Sequence, residues 1–467
     1  MASCSDDSTS SQPAATEAEA SLPNEPVEAT TVPASTAPPT TVAPTTTIDV
    51  GINPNGVDPL PPLPADVALP IVFVHGFAGS AQQYESQKMR FVANGYPADH
   101  IVAYDHDGAG FDIAAYALGA AQVIDDVLAE FGVAQVYLVG HSRGTAVSNA
   151  LLEDPAQAAK IAKYVAIDGA ACPVTGAVPC VAPNQAQFPG QSHVEVATSK
   201  ESFAAQYEFL VGEPPAVVDI EPQREPVVIS GRAVNFPANT GREGVTLEVW
   251  TVDSATGQRV DNAPLGTFEI AADGAFGPLE IVAGEPHEFV LTSSATPIQH
   301  HLYLQPYVRD SDFVRLLSSP PDGPTRMNTN RADAHSVIIA MRMREWHATD
   351  DTDLDGDQRD VLWFSTDGNE PVDALAQFVG NGAIGLHVHD DLATPGVSSI
   401  GPLPYFSEQP FQSGVDVFMP SSIDASGTIT ITNVPRGDST AEQTINVPNW
   451  PSSGHVITVV FADYAVA

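Results

Sequence analysis

In the first half of the chain, short continuous apolar runs alternate with longer stretches in which apolar residues recur at helical spacing. The continuous runs, many of them β-branched, predict buried parallel strands at 69–74, 100–104, 135–139 and 164–167. The helical spacing predicts helices at 81–94, 111–131, 143–152 and 199–211. Because strands alternate with helices, we expect a parallel sheet with helices on both faces, in a first folded domain at 67–214.

From residue 217 onward the pattern changes to short runs in which apolar and polar residues alternate, such as VTLEVWTV and GTITITNV. Alternation with a period of two predicts strands with one buried face, and turn signals separate the runs. We therefore expect an all-β C-terminal region with sandwich- or barrel-like antiparallel sheets. A mixed segment near residue 300 divides this region into predicted β domains at 215–298 and 299–467.

Residues 1–66 are rich in Ser, Thr, Pro, Ala and Glu, and they include the run TVPASTAPPTTVAPTTT. Such a segment has too few large apolar side chains to offset the entropy of ordering the chain. The composition predicts a disordered, partly extended stalk.

The charge of the chain narrows the choice of partners. Its 467 residues include 18 Lys or Arg and 58 Asp or Glu, for a net charge of −40. This charge argues against a nucleic-acid partner, because phosphates would be repelled. No stretch reaches the roughly 18 uncharged apolar residues of a membrane span, so an integral membrane protein is not expected either. The composition indicates no oligomeric state.

The cysteines point to export. Cys172 and Cys180 bracket the loop ACPVTGAVPC, so they are candidates for a disulfide in an oxidising compartment, with two free thiols as the alternative. Cys4 follows small residues and precedes a long polar stretch, as at the cleavage junction of a bacterial lipoprotein. We expect a secreted or surface-attached protein, with either a lipid tether on Cys4 or a plain exported N-terminus.

The most informative motif is Gly140-His141-Ser142-Arg143-Gly144, which follows a predicted strand and opens a predicted helix. This is the context of a G-x-S-x-G nucleophile elbow, in which a sharp turn holds the serine in a strained conformation and exposes its hydroxyl. Small residues on either side let the backbones approach. The alternative is a tight turn without catalytic function.

A nucleophilic serine needs a base and an acid that orients the base, and in this fold class the chain order is Ser, acid, His. His193 is the one histidine between Ser142 and the end of the first domain. Asp168 ends the fourth predicted strand, and strand C-termini are where sites form on open α/β sheets. Glu153 and Asp154, the other carboxylates in the interval, lie at the far end of the helix after the elbow. We therefore predict a triad of Ser142, Asp168 and His193.

The tetrahedral intermediate of such a reaction needs two N–H donors. One belongs to the residue after the nucleophile, Arg143. The other is expected from the loop after the first strand, HGFAGS, where Phe77 is the candidate. In this interpretation His75 is a positioning residue and not a base.

Two further segments could bind metal. Asp351, Asp353, Asp355 and Gly356 match the start of an oxygen-ligand calcium loop, but Leu362 stands where an EF-hand requires glutamate. A solvated acidic turn is the preferred interpretation, and a structural calcium ion bound by Asp351, Asp353, Asp355, Asp357 and Asp360 is the alternative. His387 and His389 share one face of a predicted strand beside Asp390 and Asp391, and we interpret them as surface histidines.

The sequence resembles a family of two-domain α/β-hydrolase lipases and carboxylesterases with a C-terminal β domain. The resemblance is carried, in chain order, by HGFAGSAQQYESQKMRFVANGYPADHI, VYLVGHSRGT, YVAIDG and QSHVEVATSKESFAAQYEFL. The resemblance covers most of residues 67–320. It implies a triad at Ser142, Asp168 and His193, with oxyanion donors at Phe77 and Arg143. It also implies that the C-terminal β domain assists contact with a lipid substrate. The segment HDGAGFDIAAYALGAA is too short for the large lid of some members.

The sequence therefore predicts a serine ester hydrolase that needs no cofactor and cleaves medium- to long-chain acyl esters. An esterase for short-chain or polymeric esters and an acyltransferase with the same triad are the alternatives among enzymes. The alternative from another class is a surface binding module with a vestigial triad.

Overall fold

The computed structural model describes residues 53–173, 176–320, 323–348, 359–367, 369–377 and 382–466. All of them belong to one contact unit, Pro39–Ala467. The description begins with a five-stranded parallel sheet in the strand order β2-β1-β3-β4-β5. Its strands are β1 (Ile71–Val74), β2 (Ile101–Tyr104), β3 (Val136–His141), β4 (Ile161–Ile167) and β5 (Cys180–Val181).

Helices cover both faces of this sheet, and two 3₁₀ turns, Ala81–Tyr84 and Ala98–His100, precede α1 and β2. The helices are α1 (Glu85–Ala93), α2 (Ile113–Phe131), α3 (Arg143–Leu152), α4 (Pro155–Ala158), α5 (Glu195–Thr198) and α6 (Lys200–Val211). The long helix α2 begins at Asp112, whose carboxylate accepts the N–H of Ala115 at 3.0 Å, and ends at Gly132 with φ 64°. The predicted parallel sheet with helices on both faces is confirmed.

The rest of the described chain is mostly strands, with two single-turn helices, α7 (Pro324–Met327) and α8 (Pro404–Ser407). The strands up to residue 320 are β6 (Val227–Asn235), β7 (Thr240–Gly241), β8 (Thr246–Thr251), β9 (Gly266–Glu269), β10 (Ala275–Ile281), β11 (His287–Ser293), β12 (Thr296–Leu304) and β13 (Ser311–Ser318). The later strands are β14 (Ile338–Trp346), β15 (Val361–Thr366), β16 (Val372–Asp373), β17 (Ala383–His389), β18 (Gln412–Asp416), β19 (Thr428–Val434), β20 (Gln443–Pro448) and β21 (His455–Val460).

These strands form three sheets. The largest, here called the shared sheet, packs against each of the other two. Its order is β18-β17-β14-β21-β12-β11-β8-β9. One hydrophobic core lies between this sheet and the sheet of β10, β6 and β13, and a second lies between it and the sheet of β16, β15, β19 and β20. Along β12, Leu302 and Leu304 belong to the first core and Tyr303 to the second. Successive side chains of a strand point to opposite faces, so the shared sheet is covered on both faces.

The prediction of a β-rich C-terminal region is confirmed. The strands, however, pair across the boundary that the sequence predicted between two β domains. The boundary predicted at 298 falls inside β12, and β12 pairs with β11 on one side and with β21 on the other. β21 pairs parallel with both β12 and β14, so the sheet is mixed and not purely antiparallel. Local alternation predicts strands, but it carries no information about which distant strands pair.

The end of the predicted stalk also differs from a free spacer. Within the described part, Asn53 N–H donates to Arg224 at 2.8 Å and Val57 N–H donates to Pro222 at 2.8 Å. Leu63 N–H donates to Gly95 at 2.9 Å. Residues 53–66 therefore lie along the folded domain. Among the described residues, no helix combines the length and the apolar character needed to cross a membrane.

A buried charge cluster holds the β region together near the catalytic domain. Asp360 is fully buried and bonds Arg342 Nη2 at 2.7 Å and Arg436 Nη1 at 2.8 Å. It also accepts the backbone N–H of His347 at 2.8 Å. Burial by itself raises the pKa of Asp360, but the charges of Arg342 and Arg436 outweigh it and hold the pKa well below its usual range.

We predict that Asp360→Asn lowers the free energy of unfolding at pH 7 by about 3–5 kcal/mol, because the buried guanidinium of Arg342 loses its counter-charge and Arg436 loses one of its two carboxylate partners. Since the folded-state pKa is depressed, the stabilisation is present above about pH 4 and is lost as the pH falls further. Urea denaturation of both proteins at pH 7 and pH 3 measures this difference. Glu130→Gln, at an exposed helix position, is the matched control. A loss below 1 kcal/mol at pH 7 would contradict the prediction.

Candidate active site

Ser142 lies in the turn between β3 and α3 with φ 54° and ψ −122°. A positive φ is strained for a residue with a side chain. The turn requires glycine on both sides. A Cβ atom on Gly144 would lie 2.1 Å from the carbonyl oxygen of Val74, and one on Gly140 would lie 2.8 Å from that of Gly144. The G-x-S-x-G motif thus forms a strand-turn-helix elbow with the serine at its apex.

Asp168 follows β4, and its carboxylate Oδ2 lies 2.7 Å from His193 Nδ1. The same oxygen accepts a hydrogen bond from Gln185 Nε2 at 3.0 Å. An acid that accepts from Nδ1–H fixes the neutral tautomer in which Nε2 is free to accept a proton. The long-range pair predicted from chain order is therefore present in the fold.

His193 lies beside the elbow through its contacts with His141, the residue before Ser142. The two rings are 4.7 Å apart, and His141 Nε2 lies 3.0 Å from the carbonyl oxygen of His193. Gln83 Nε2 meets the other ring nitrogen of His141 at 2.5 Å. Burial, with the charge of His193, lowers the pKa of His141 to about 3, so this ring is neutral at pH 7. The fold thus places Ser142, Asp168 and His193 at one edge of the sheet.

The loop after β1 approaches the elbow closely, since a Cβ atom on Gly76 would lie 2.9 Å from that of Ser142. Ala78 N–H donates to Gly108 at 2.8 Å, whereas Phe77 N–H has no protein acceptor among the described residues. Arg143 N–H is the first of α3 and likewise has no acceptor there, as expected at a helix N-terminus. Both N–H groups are therefore available as the predicted oxyanion donors.

The side chain of Arg143 holds the segment between β2 and α2 over the elbow. Its guanidinium donates to the carbonyl oxygens of Gly110 and of Asp107, the latter at 2.7 Å. It also lies 5.4 Å from the ring of Phe77 and 5.8 Å from that of Phe111. The sequence predicted only the backbone role of this residue. These contacts of Arg143 keep the segment between β2 and α2 packed beside the site. That segment is too short to form a large lid.

The C-terminal region contributes directly to the loop that carries His193. Glu345, near the end of β14, accepts the N–H of Val194 at 2.6 Å and of Glu195 at 3.2 Å, and it bonds the hydroxyl of Ser192. Sequence reasoning missed Glu345, because no local motif marks a carboxylate that acts about 150 residues away from the loop it supports.

A second long-range contact joins Arg436 to the same loop. Its Nη2 atom lies 2.5 Å from Glu195 Oε2, and its Nη1 atom lies 2.8 Å from Asp360. The ring of Phe411 stacks 6.1 Å from that of His193. The base of the predicted triad is therefore held between the two regions of the chain.

An apolar cleft lies beside the site. Its lining includes Ala78, next to the predicted oxyanion donor, and Phe411, whose ring stacks on that of His193. Apolar residues of β13, β14 and β17 also line it, namely Leu317, Ile339, Met341 and Ile384. Its walls thus come from both regions, and its apolar surface suits a hydrocarbon chain.

Several other predicted sites have outcomes in the structure. Cys172 and Cys180 form a disulfide with an S–S distance of 2.07 Å. Cys4 and the four aspartates of the acidic loop, Asp351, Asp353, Asp355 and Asp357, lie outside the described residues. Asp360 is described, and the positive charges of its two arginine partners oppose a calcium ion at the same carboxylate.

The interpretation of His387 and His389 as surface histidines is wrong, because both side chains are buried. His387 packs on the ring of Phe406 at 3.8 Å and bonds Gln412, and burial lowers the pKa of His387 to about 3. The two histidines do share one face of β17, as alternation predicts. That face is not exposed, because both faces of the shared sheet are covered. Nearby, carboxylate oxygens of Asp390, Asp391 and Asp416 lie within 4.8 Å of one another. Each accepts backbone N–H groups, so we assign the cluster to stabilisation of this turn.

We predict that Glu345→Gln makes the amide hydrogens of Val194 and Glu195 exchange about tenfold faster, because a neutral acceptor holds N–H groups less strongly than a carboxylate does. Hydrogen–deuterium exchange with mass spectrometry over residues 190–199 measures this change. Glu280→Gln, on an exposed position of β10, is the control and should leave the exchange unchanged. Equal protection in wild type and Glu345→Gln would refute the assignment of Glu345 as the support of this loop.

Three family models match the chain. The alpha/beta hydrolase family matches residues 71–257, a lipase C-terminal domain matches residues 225–321, and a further C-terminal domain model matches residues 324–465. No curated protein matches. These matches confirm the resemblance to α/β hydrolases with a lipase-type C-terminal domain, and they support a hydrolase.

Solved structures match over part of the chain. A mature lipase from Bacillus licheniformis is 17% identical, with a TM-score of 0.21 over 38% of this chain and 71% of its own. An epoxide hydrolase from Vigna radiata is 28% identical, with a TM-score of 0.18 over 22% of this chain. The chain spans 35% of the length of that epoxide hydrolase. The family match over residues 71–257 and the parallel sheet identify an alpha/beta hydrolase domain, followed by a region rich in antiparallel strands.

Proposed function

We propose that the protein is a serine hydrolase of carboxylic esters, with Ser142 as nucleophile, His193 as base and Asp168 as the residue that orients the base. The observation that carries the proposal is the strained elbow at Ser142 beside a histidine whose Nδ1 faces a carboxylate at 2.7 Å. An elbow alone is a tight turn, and a His–Asp pair alone is a common contact. Their combination on one sheet edge supports a triad in which the base activates the serine.

In this mechanism the Ser142 hydroxyl attacks the ester carbonyl carbon while His193 Nε2 takes its proton. Asp168 stabilises the imidazolium that forms. The N–H groups of Phe77 and Arg143 stabilise the oxyanion of the tetrahedral intermediate. His193 then gives the proton to the leaving alcohol, and a water molecule releases the acyl group by the same steps in reverse. The chemistry requires no cofactor.

Medium- to long-chain acyl esters are the proposed substrates. Support comes from the apolar cleft that Ala78 and Phe411 help to line, whose apolar walls come from both regions of the chain. The ring of Phe111 is 73% exposed and stacks on Phe77 at 5.3 Å, so an apolar entrance also lies next to the predicted oxyanion donor. This arrangement would give the β region a part in binding the acyl chain.

We further propose that the protein is secreted or attached to the cell surface. The Cys172–Cys180 disulfide supports this location, since disulfides persist in oxidising compartments.

We predict that Ser142→Ala lowers kcat for p-nitrophenyl esters by a factor on the order of 10⁴ or more, because the nucleophile is lost while binding is retained. Initial rates on acetate to palmitate esters measure this loss. Ser294→Ala, at an exposed turn, is the matched control. Labelling of wild type, but not of Ser142→Ala, by a fluorophosphonate probe is the independent readout. No activity and no labelling of the wild type would favour the surface binding module with a vestigial triad.

We predict that Met341→Phe shifts the preferred acyl chain toward shorter esters, because a larger side chain shortens the apolar cleft. The kcat/KM values across the ester series should fall for long chains and stay within about twofold for acetate and butyrate. Met341→Leu, which conserves volume, is the control, and thermal unfolding tests whether each variant is folded. A wild type that prefers acetate and butyrate would favour the short-chain or polyester esterase.

A further inference from the structure

Three arginines converge on a second pocket that adjoins the apolar cleft. Arg242 follows β7, Arg326 lies in α7, and Arg331 lies in the loop after α7. The whole chain has only 18 basic residues against 58 acidic ones, so three arginines at one pocket are an unusual concentration. None of the described residues that line this pocket is an aspartate or a glutamate.

The guanidinium groups lack acceptors in the part of the chain that is described. Arg242 Nη1 and two nitrogens of Arg331, Nε and Nη1, are buried without a hydrogen-bond partner, and the three arginines form no ion pair there. Burial, with the neighbouring charge of Arg326, lowers the pKa of Arg331 to about 10, so its side chain stays protonated at pH 7. Buried donors without acceptors cost free energy unless a ligand satisfies them.

The surrounding side chains suit the same kind of ligand. Thr296, Ser319, Thr325 and Thr329 line the pocket and carry hydroxyl groups. Hydroxyls and guanidinium groups together are typical donors to an oxyanion, and arginine binds planar carboxylates through two parallel hydrogen bonds.

The pocket shares part of its wall with the cleft beside the candidate active site. Ser319, Thr325, Ile339 and His300 line both spaces. His300 bonds Thr458 at 2.8 Å, and burial lowers the pKa of His300 to about 3, so the ring that lines both spaces is neutral at pH 7. The end of an apolar chain bound in the cleft would therefore lie near positive charge.

We propose that the pocket formed by Arg242, Arg326 and Arg331 binds the anionic end of an apolar chain that fills the cleft. Resting on the proposed ester hydrolysis, this assigns the substrate class as esters whose acyl chain ends in a carboxylate or a similar oxyanion. The same chemistry is offered by a free fatty acid, which would place its carboxylate at the arginines.

The first experiment compares p-nitrophenyl half-esters of diacids with 6 to 16 carbons against neutral p-nitrophenyl esters of equal length. At the chain length that spans the cleft, the wild type should show a kcat/KM about tenfold or more above that of the neutral ester. Arg331→Gln should remove this advantage and leave the neutral ester within about twofold. Arg224→Gln, at a distant exposed ion pair, is the control and should retain the advantage.

The second experiment measures binding without catalysis. Isothermal titration of Ser142→Ala with dodecanoate should give saturable binding that Arg331→Gln, in the same background, weakens by about tenfold or more. Dodecanol serves as the neutral probe and should be insensitive to the arginine substitution. Thermal unfolding tests whether each variant is folded. Replacing a buried guanidinium without acceptors should leave the melting temperature unchanged or raise it.

The outcomes separate this inference from the proposed function. Arginine-dependent binding of dodecanoate without any ester hydrolysis would support the anion pocket while the hydrolase proposal fails. Such binding without an advantage for the half-esters would support the pocket and identify a free fatty acid as its ligand. Equal effects of Arg331→Gln on neutral and anionic compounds, or no binding of dodecanoate, would overturn the anion pocket even if Ser142 proves catalytic.

Discussion

The contact between Glu345 and the His193 loop is the interaction on which the candidate site depends. A single carboxylate accepts two successive backbone N–H groups, those of Val194 and Glu195, directly after the histidine. Arg436 then links Glu195 to the buried carboxylate of Asp360. Charge-assisted hydrogen bonds of this kind lose much of their strength if one partner moves, so the loop and the β region must be positioned together. In this protein the β region is therefore a structural part of the site and not an appended module.

The same dependence is visible on the other side of the elbow. Asn239, in the turn between β6 and β7, donates to the carbonyl oxygens of Gly79 at 2.8 Å and His106 at 2.9 Å. Gly108 N–H donates to Pro237 at 2.7 Å. The loop that offers the Phe77 N–H group is thus braced by the β region, as the histidine loop is. A preorganised oxyanion site requires donors that do not reorient during the reaction, and such bracing supplies that rigidity.

The shared eight-stranded sheet explains how one β region can serve these tasks. Its two faces belong to two cores, so Met341 lines the apolar cleft while its neighbour Ala340 packs into the opposite core. The cleft and the arginine pocket both lie where this sheet meets the strands that follow the catalytic domain. Successive residues of one strand therefore line the cleft and pack into the opposite core in turn.

The sequence by itself determined the features that arise from local pattern and chain order. The α/β alternation, the elbow at Ser142 and the candidates Asp168 and His193 all follow from local spacing and the order of residues along the chain. Only the tertiary structure decided the role of Glu345, the burial of His387 and the convergence of the three arginines. Those features join residues that lie far apart along the chain. Strand pairing, which brings them together, depends on the packing of whole sheets and leaves no local signal.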